Sequence, residues 1–217
     1  VTFKVLDGPA TKKILNSLTE KGIIGLSLAD YGYRQLTNSI RSVKSLADAK
    51  GLKIRTMENP VHLAAFRAMG MNPTPMAFSE LFSALQQKAL DGQENPVNTI
   101  EVQKFYEVQK YLTLTNHVRS ILILAFSKKV FDAYSPEDQE ILKKAAQEAA
   151  IYARELNVKW MDESLVNVKK LMNVTELTPE AAAQFKNATK DVIYQFQDKI
   201  GKDLIDEMLA EIASYSK

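Results

Sequence analysis

From Ser135-Pro136-Glu137-Asp138, which supplies a cap, a proline at the first helical position and an acidic first turn, nothing breaks a helical pattern until about Met172. A helix of about 35 residues reaches roughly 50 Å. One compact domain of this size has no need of such a length. The run therefore predicts a spine crossing two lobes. A coiled coil is the alternative, although Leu142, Ala146, Tyr152, Leu156, Trp160, Leu165 and Val168 do not keep a strict heptad.

The rest of the chain alternates strands and helices, the signature of an α/β sheet. Thr11 to Lys21 has helical spacing and stops at Gly22, a strand follows over Ile23 to Leu28, and Asp30 to Arg34 reads as a turn. Ser45 to Ala49 is a short helical turn before the strand that ends at Arg55. Asn59-Pro60 caps a helix that runs to about Met69 and ends at Gly70. Thr74 to Phe78 reads as extended, and Ser79 as the cap of a helix burying Leu81, Phe82 and Leu85. A glycine turn at Asp91-Gly92, a helix over Thr99 to Lys110 and a strand over Thr113 to His117 come next. The apolar run Ile121 to Phe126 fits a strand buried on both faces. Thr178-Pro179-Glu180 opens a further helix, and Lys202 to Tyr215 a last one.

Composition excludes several classes. The 217 residues carry 28 basic and 26 acidic side chains for a net charge of +2, without a basic block of the kind that binds nucleic acid. The absence of cysteine removes disulfides, thiolate catalysis and cysteine metal sites. No apolar stretch approaches the length of a membrane span, so stable membrane insertion is not expected. Glycine-rich phosphate loops, a nucleophile elbow and a His-Glu-x-x-His pair are all missing, and the two histidines, His62 and His117, fall on different elements. No catalytic residue, metal ligand or cofactor is assigned.

Two residues suggest a carboxylate-binding cleft. Arg55 closes its strand where α/β sheets receive ligands, and a guanidinium presents a planar fork of donors to a carboxylate. A surface salt bridge is the competing reading. Asn95 precedes Pro96 and is held extended, which suits an amide donor to a bound oxygen, whereas a plain turn is the alternative. Glu94 could serve as a proton carrier or only as a hydrogen-bond acceptor. His117 could face a ligand or sit structurally, and Phe78 reads on apolarity alone as core.

The segments Gly51 to Arg55, Pro73 to Glu80, Ala84 to Gln86, Asp91 to Pro96 and Lys104 to Leu112 follow one another as in the solute-binding proteins of tripartite ATP-independent periplasmic (TRAP) transporters, which the chain resembles over nearly its whole length. The resemblance implies a two-lobed α/β fold, periplasmic-binding-protein-like and type II-like, with a long lobe-crossing helix. It implies a periplasmic receptor that captures a small organic acid (a sugar acid, dicarboxylate or oxo acid) and delivers it to the membrane permease subunits. Arg55 matches the arginine that clamps the substrate carboxylate, and Asn95 the asparagine that bonds the same group. Arg34 matches a second cleft arginine and Phe78 an aromatic lining position, while Glu58, Glu94 and His117 fall on or beside positions that vary with substrate. Arg119 stands where members binding sialic acid resemble one another in having a small polar residue.

Members of that family resemble this chain only after a signal peptide and roughly the first third of the mature protein. The fold is thus expected to be incomplete at the N-terminus, with residues 1–31 and 121–160 a remnant of lobe one, and 32–120 with 161–217 forming lobe two. An enzyme acting on a small carboxylic acid, with Arg55 as anchor and Glu94 or His117 as proton carrier, is the alternative function. A helical interaction module built on the long helix is a third.

Overall fold

Local signals in the sequence set most helix ends. The computed structural model describes residues 1–216. In chain order its elements are α1 (Thr2–Leu6), α2 (Pro9–Ser17), β1 (Ile23–Asn38), α3 (Leu46–Ala49), β2 (Lys53–Thr56), α4 (Pro60–Ala68), β3 (Asn72–Pro75), α5 (Phe78–Gln86) and β4 (Gly92–Pro96). There follow α6 (Val97–Val102), β5 (Tyr111–Ser127), α7 (Lys128–Phe131), α8 (Pro136–Val168), β6 (Asn173–Glu176), α9 (Pro179–Thr189), α10 (Gln197–Ile200) and α11 (Lys202–Tyr215). Asn59 accepts from the amides of Val61 and His62 at the start of α4, Ser45 and Asp48 form a capping box on α3, and Thr178 accepts from Ala181 at the start of α9. Each cap satisfies donors that the helix itself leaves open.

The chain divides into two units. The first comprises Val1–Tyr31, Ile121–Val158 and the segment from Gln197 onward; the second comprises Gly32–Ser120 and Lys159–Phe196. The C-terminal segment was expected with residues 161–217 in the second lobe, yet it belongs to the first unit. There Glu211 of α11 accepts from the Ala10 amide at 3.1 Å and Glu207 pairs with Lys13, both on α2. Such non-local pairings leave no trace in the local pattern of α11. Also in the first unit, the buried Arg154 of α8 donates to Leu28 O at 3.0 and 2.7 Å and pairs with Asp7 at 2.8 and 2.9 Å.

The strand order is β3-β2-β4-β1-β5-β6. The pairs β2/β3, β2/β4 and β5/β6 are parallel and β1/β4 is antiparallel. One apolar cluster gathers Leu36, Ile54, Phe66 and Phe185; a second gathers Leu81, Ile100, Phe105, Leu112 and Val168. The uninterrupted helix is real, with 33 residues in α8, contributing to both units.

Several expectations are corrected. Asp30 to Arg34 is not a turn but the middle of the 16-residue β1, and Gly32, at φ 89, lets the strand continue through a left-handed residue. α5 starts at Phe78 with Ala77 as its cap rather than at Ser79. The helix expected over Thr99 to Lys110 ends at Val102, after which Lys104 adopts φ 53 before a 3₁₀ turn. Ile121 to Phe126 is not buried on both faces: Leu122, Ile123 and Leu124 are 51, 45 and 45% exposed, since nothing among the described residues covers them. Gly92 opens β4 instead of making a turn.

That glycine is required by contact rather than by conformation. A Cβ there would lie 2.0 Å from the Thr37 carbonyl oxygen of the neighbouring strand. Gly92→Ala is therefore expected to destabilise the protein by about 1–3 kcal/mol in urea unfolding, because β1 and β4 must separate to admit the methyl group.

Candidate functional site

The parallel strands β2 and β4 run side by side with Arg55 opposite Gln93, and the residues near their carboxyl ends carry the polar groups singled out from the sequence. Arg55 is the penultimate residue of β2 and Asn95 the penultimate residue of β4, while antiparallel pairing brings Arg34 of β1 opposite Pro96 at the same edge. This is the carboxyl end of the sheet, where α/β folds place ligands. The helices that follow β3 and β4 begin after Ala77 and Pro96, which offer no side-chain cap to the first-turn amides, so the positive ends of α5 and α6 add to the field.

Arg34 and Glu94 form the electrostatic centre. Glu94 has no exposed surface and Arg34 is only 5% exposed. Arg34 Nε and Nη2 grip the two carboxylate oxygens of Glu94, the latter at 2.8 Å, and Nη2 also reaches Glu94 O at 2.7 Å and Asn95 Oδ1 at 3.0 Å. Nη1 donates to Ser120 Oγ at 3.2 Å. His117 Nε2 meets Glu94 Oε2 at 3.1 Å, and its Nδ1 meets Thr115 Oγ1 at 2.7 Å. An ionised carboxylate only accepts, so Nε2 is the protonated nitrogen and Thr115 donates to Nδ1 when the ring is neutral. Phe66 packs edge-on against the imidazole at 5.2 Å. Burial pushes the Glu94 carboxyl up, but the hydrogen bonds from His117 and Arg34 and their charges outweigh it and hold its pKa at about 2.

Arg55 is held differently. It is 3% exposed, and its Nε and Nη2 both donate to the Met76 carbonyl, at 2.9 and 2.6 Å. These bonds occupy one side of the guanidinium and leave the Nη1–Nη2 edge without a protein acceptor among the described residues. Its pKa is lowered chiefly by burial, with the Arg34 charge acting in the same direction and Glu94 and Glu58 opposing. Phe78 lies 5.8 Å from the Arg55 guanidinium and 6.1 Å from Phe105, and at 43% exposure it is a wall beside the arginine rather than core. Glu58 is exposed just beyond the end of β2.

The structure thus brings Arg34, Glu94, Asn95 and His117 into one bonded group. Arg55 and Phe78 form a second contact pair, near enough to Glu94 for its charge to act on Arg55. The two histidines, though on different elements, are also electrostatic neighbours. Burial, opposed by Glu94, lowers the pKa of His62, whose Nδ1 is buried without a hydrogen-bond partner among the described residues.

Some residues of the site were missed. Gln35 donates to Asn116 Oδ1 at 2.7 Å and accepts from the Asn116 amide at 3.0 Å, fixing Asn116 at φ 47 next to His117. Asparagine tolerates that region better than most residues, which was the available signal. A cavity of about 350 Å³ is lined there by Thr115, Asn116, His117, Phe185 and Lys186. Another of about 460 Å³ lies in the first unit beside Arg154, whose guanidinium is already committed to Asp7 and Leu28 O. Unused donors, not cavity size, single out Arg55.

Comparison with known proteins gives the family. The chain matches the bacterial extracellular solute-binding proteins, family 7 (DctP), over residues 1–199, and belongs to that family. A solute-binding protein of Verminephrobacter eiseniae is 42% identical over 94% of this chain and 61% of its own length. A TRAP periplasmic solute-binding protein from Ochrobactrum anthropi superposes with a TM-score of 0.90 at 42% identity, covering 98% of this chain and 67% of that one. The sugar-acid-binding protein DctPAm of Advenella mimigardefordensis, solved with galactonate, gives 0.91 at 38% identity, covering 97% and 68%. The chain spans about three fifths of that first relative's length.

The folded-state pKa of Glu94 lies below the ordinary value of 4.5, so its ionisation stabilises the fold above that pH, and the contribution disappears as pH falls toward 2. Glu94→Gln is expected to cost about 3 kcal/mol at neutral pH, because it leaves Arg34 buried without its counter-charge, and to flatten stability between pH 5 and 2. Urea unfolding at a series of pH values reads both effects.

Proposed function

We propose that this chain captures a small organic acid, a sugar acid, dicarboxylate or oxo acid, by seating its carboxylate on Arg55, as the ligand-binding subunit of a TRAP transporter. The free Nη1–Nη2 edge of Arg55 carries the reading. A buried guanidinium held by one backbone carbonyl, with donors to spare, suits a bidentate carboxylate partner. Asn95 adds a donor: one N–H of its amide bonds Gln93 Oε1, and the other has no protein acceptor among the described residues. Phe78 supplies the apolar wall. Arg34, Glu94 and His117 then serve as the frame that holds Asn95.

The galactonate complex of DctPAm supports the sugar-acid class, and membership of the family supports an extracytoplasmic, periplasmic location and a membrane permease as recipient. No helix among the described residues is long and apolar enough to cross a membrane. Glu94, one of the two proton carriers of the enzyme alternative, has both carboxylate oxygens engaged by Arg34, which counts against that role; His117 is the other.

Each charge-assisted hydrogen bond from Arg55 is worth about 1.5–3 kcal/mol. Arg55→Lys presents no fork and is expected to weaken galactonate binding at least about tenfold in titration calorimetry. Wild-type affinity in the lysine variant would refute the clamp.

A further inference from the structure

Four buried polar side chains with no reactive chemistry form a line across β4, β1 and the loop before β5. Gln93 and Thr37 are fully buried and register partners, Gln109 is 2% exposed and Asn95 5% exposed. The hydrogen bonds run one way. Gln109 Nε2 faces the carbonyls of Val108 at 3.0 Å and Asp91 at 3.4 Å, which can only accept, so its Oε1 must turn the other way. That oxygen accepts from Thr37 Oγ1 at 2.9 Å, and the hydroxyl, having given its proton, accepts from Gln93 Nε2 at 2.9 Å. Gln93 Oε1 is left to accept from Asn95 Nδ2, and Asn95 Oδ1 accepts from Arg34 at 3.0 Å.

We infer that Thr37, Gln93 and Gln109 are positioning residues for ligand capture. Anchored on two backbone carbonyls, they orient the Asn95 amide so that a nitrogen, never an oxygen, is offered to the bound acid. Reversing any one member would set two acceptors or two donors against each other among buried side chains, so the chain has a single polarity. Arg34 sets the same orientation from the other end. The amide is therefore fixed twice, and a carboxylate arriving at Arg55 meets a donor that needs no reorganisation. A packing role alone would need only side chains of this volume, not a hydroxyl and two amides in a fixed sense.

The inference rests on the acid-capture reading, and its test separates the two. In the purified protein, the Asn95 side-chain NH₂ resonances are followed by ¹H–¹⁵N NMR, galactonate and succinate affinities by calorimetry, and folding by the thermal midpoint. Thr37→Val keeps the volume and removes the hydroxyl; Gln109→Met removes the anchor one step further away. Both are expected to shift and broaden the Asn95 pair and to weaken binding about three- to tenfold. Thr37→Ser, which restores the hydroxyl, should return resonances and affinity to wild-type values. An unchanged Asn95 pair and unchanged affinity in both variants would overturn the inference, as would a loss in Thr37→Val that serine fails to rescue. If neither acid binds the wild type, or Arg55→Lys binds as well as wild type, the capture reading fails, while the amide resonances still decide whether the chain of bonds orients Asn95.

Discussion

A carboxylate with no exposed surface survives in a protein only beside a cation that repays its lost hydration, and Glu94 is such a group. Its pairing with Arg34 constrains the whole end of the sheet. Because side chains alternate along a strand, Glu94 faces one side of β4 while Gln93 and Asn95 face the other. Arg34 of β1, opposite Pro96, bonds to both Glu94 and Asn95. His117 then holds the carboxylate from β5, so three strands are tied at one point.

Against that frame the two arginines have opposite states. Arg34 spends its donors on Glu94, Asn95 and Ser120, and Arg55 spends only one side on a carbonyl. The sequence reads Arg34 in a turn and Arg55 at a strand end and does not distinguish them by composition; the difference lies in which acceptors the fold brings within reach. On the proposed reading, Arg34 holds the shape of the site and Arg55 binds the acid.

Much of the fold was legible because its signals are local. Asn59-Pro60, Ser135-Pro136 and Thr178-Pro179 each begin a helix, and the 33 residues of α8 follow from the absence of any breaker. The misses are non-local. Gly32 looks like turn chemistry but sits inside a continuous strand, β6 (Asn173–Glu176) is a polar strand that pairing with β5 alone defines, and α11 joins the first unit through contacts with α2. In the site, charged residues drew attention through their chemistry. Thr37, Gln93 and Gln109 did not, since an amide or hydroxyl acquires meaning only from the direction of its bonds.

The most direct measurement is a crystal structure of the protein with galactonate. The expected result is a carboxylate seated on the Nη1–Nη2 edge of Arg55 and accepting from Asn95 Nδ2, with the Arg34–Glu94 pair intact. A carboxylate bound away from Arg55, or an Arg34 that leaves Glu94 to take the ligand, would contradict the division of labour between the two arginines.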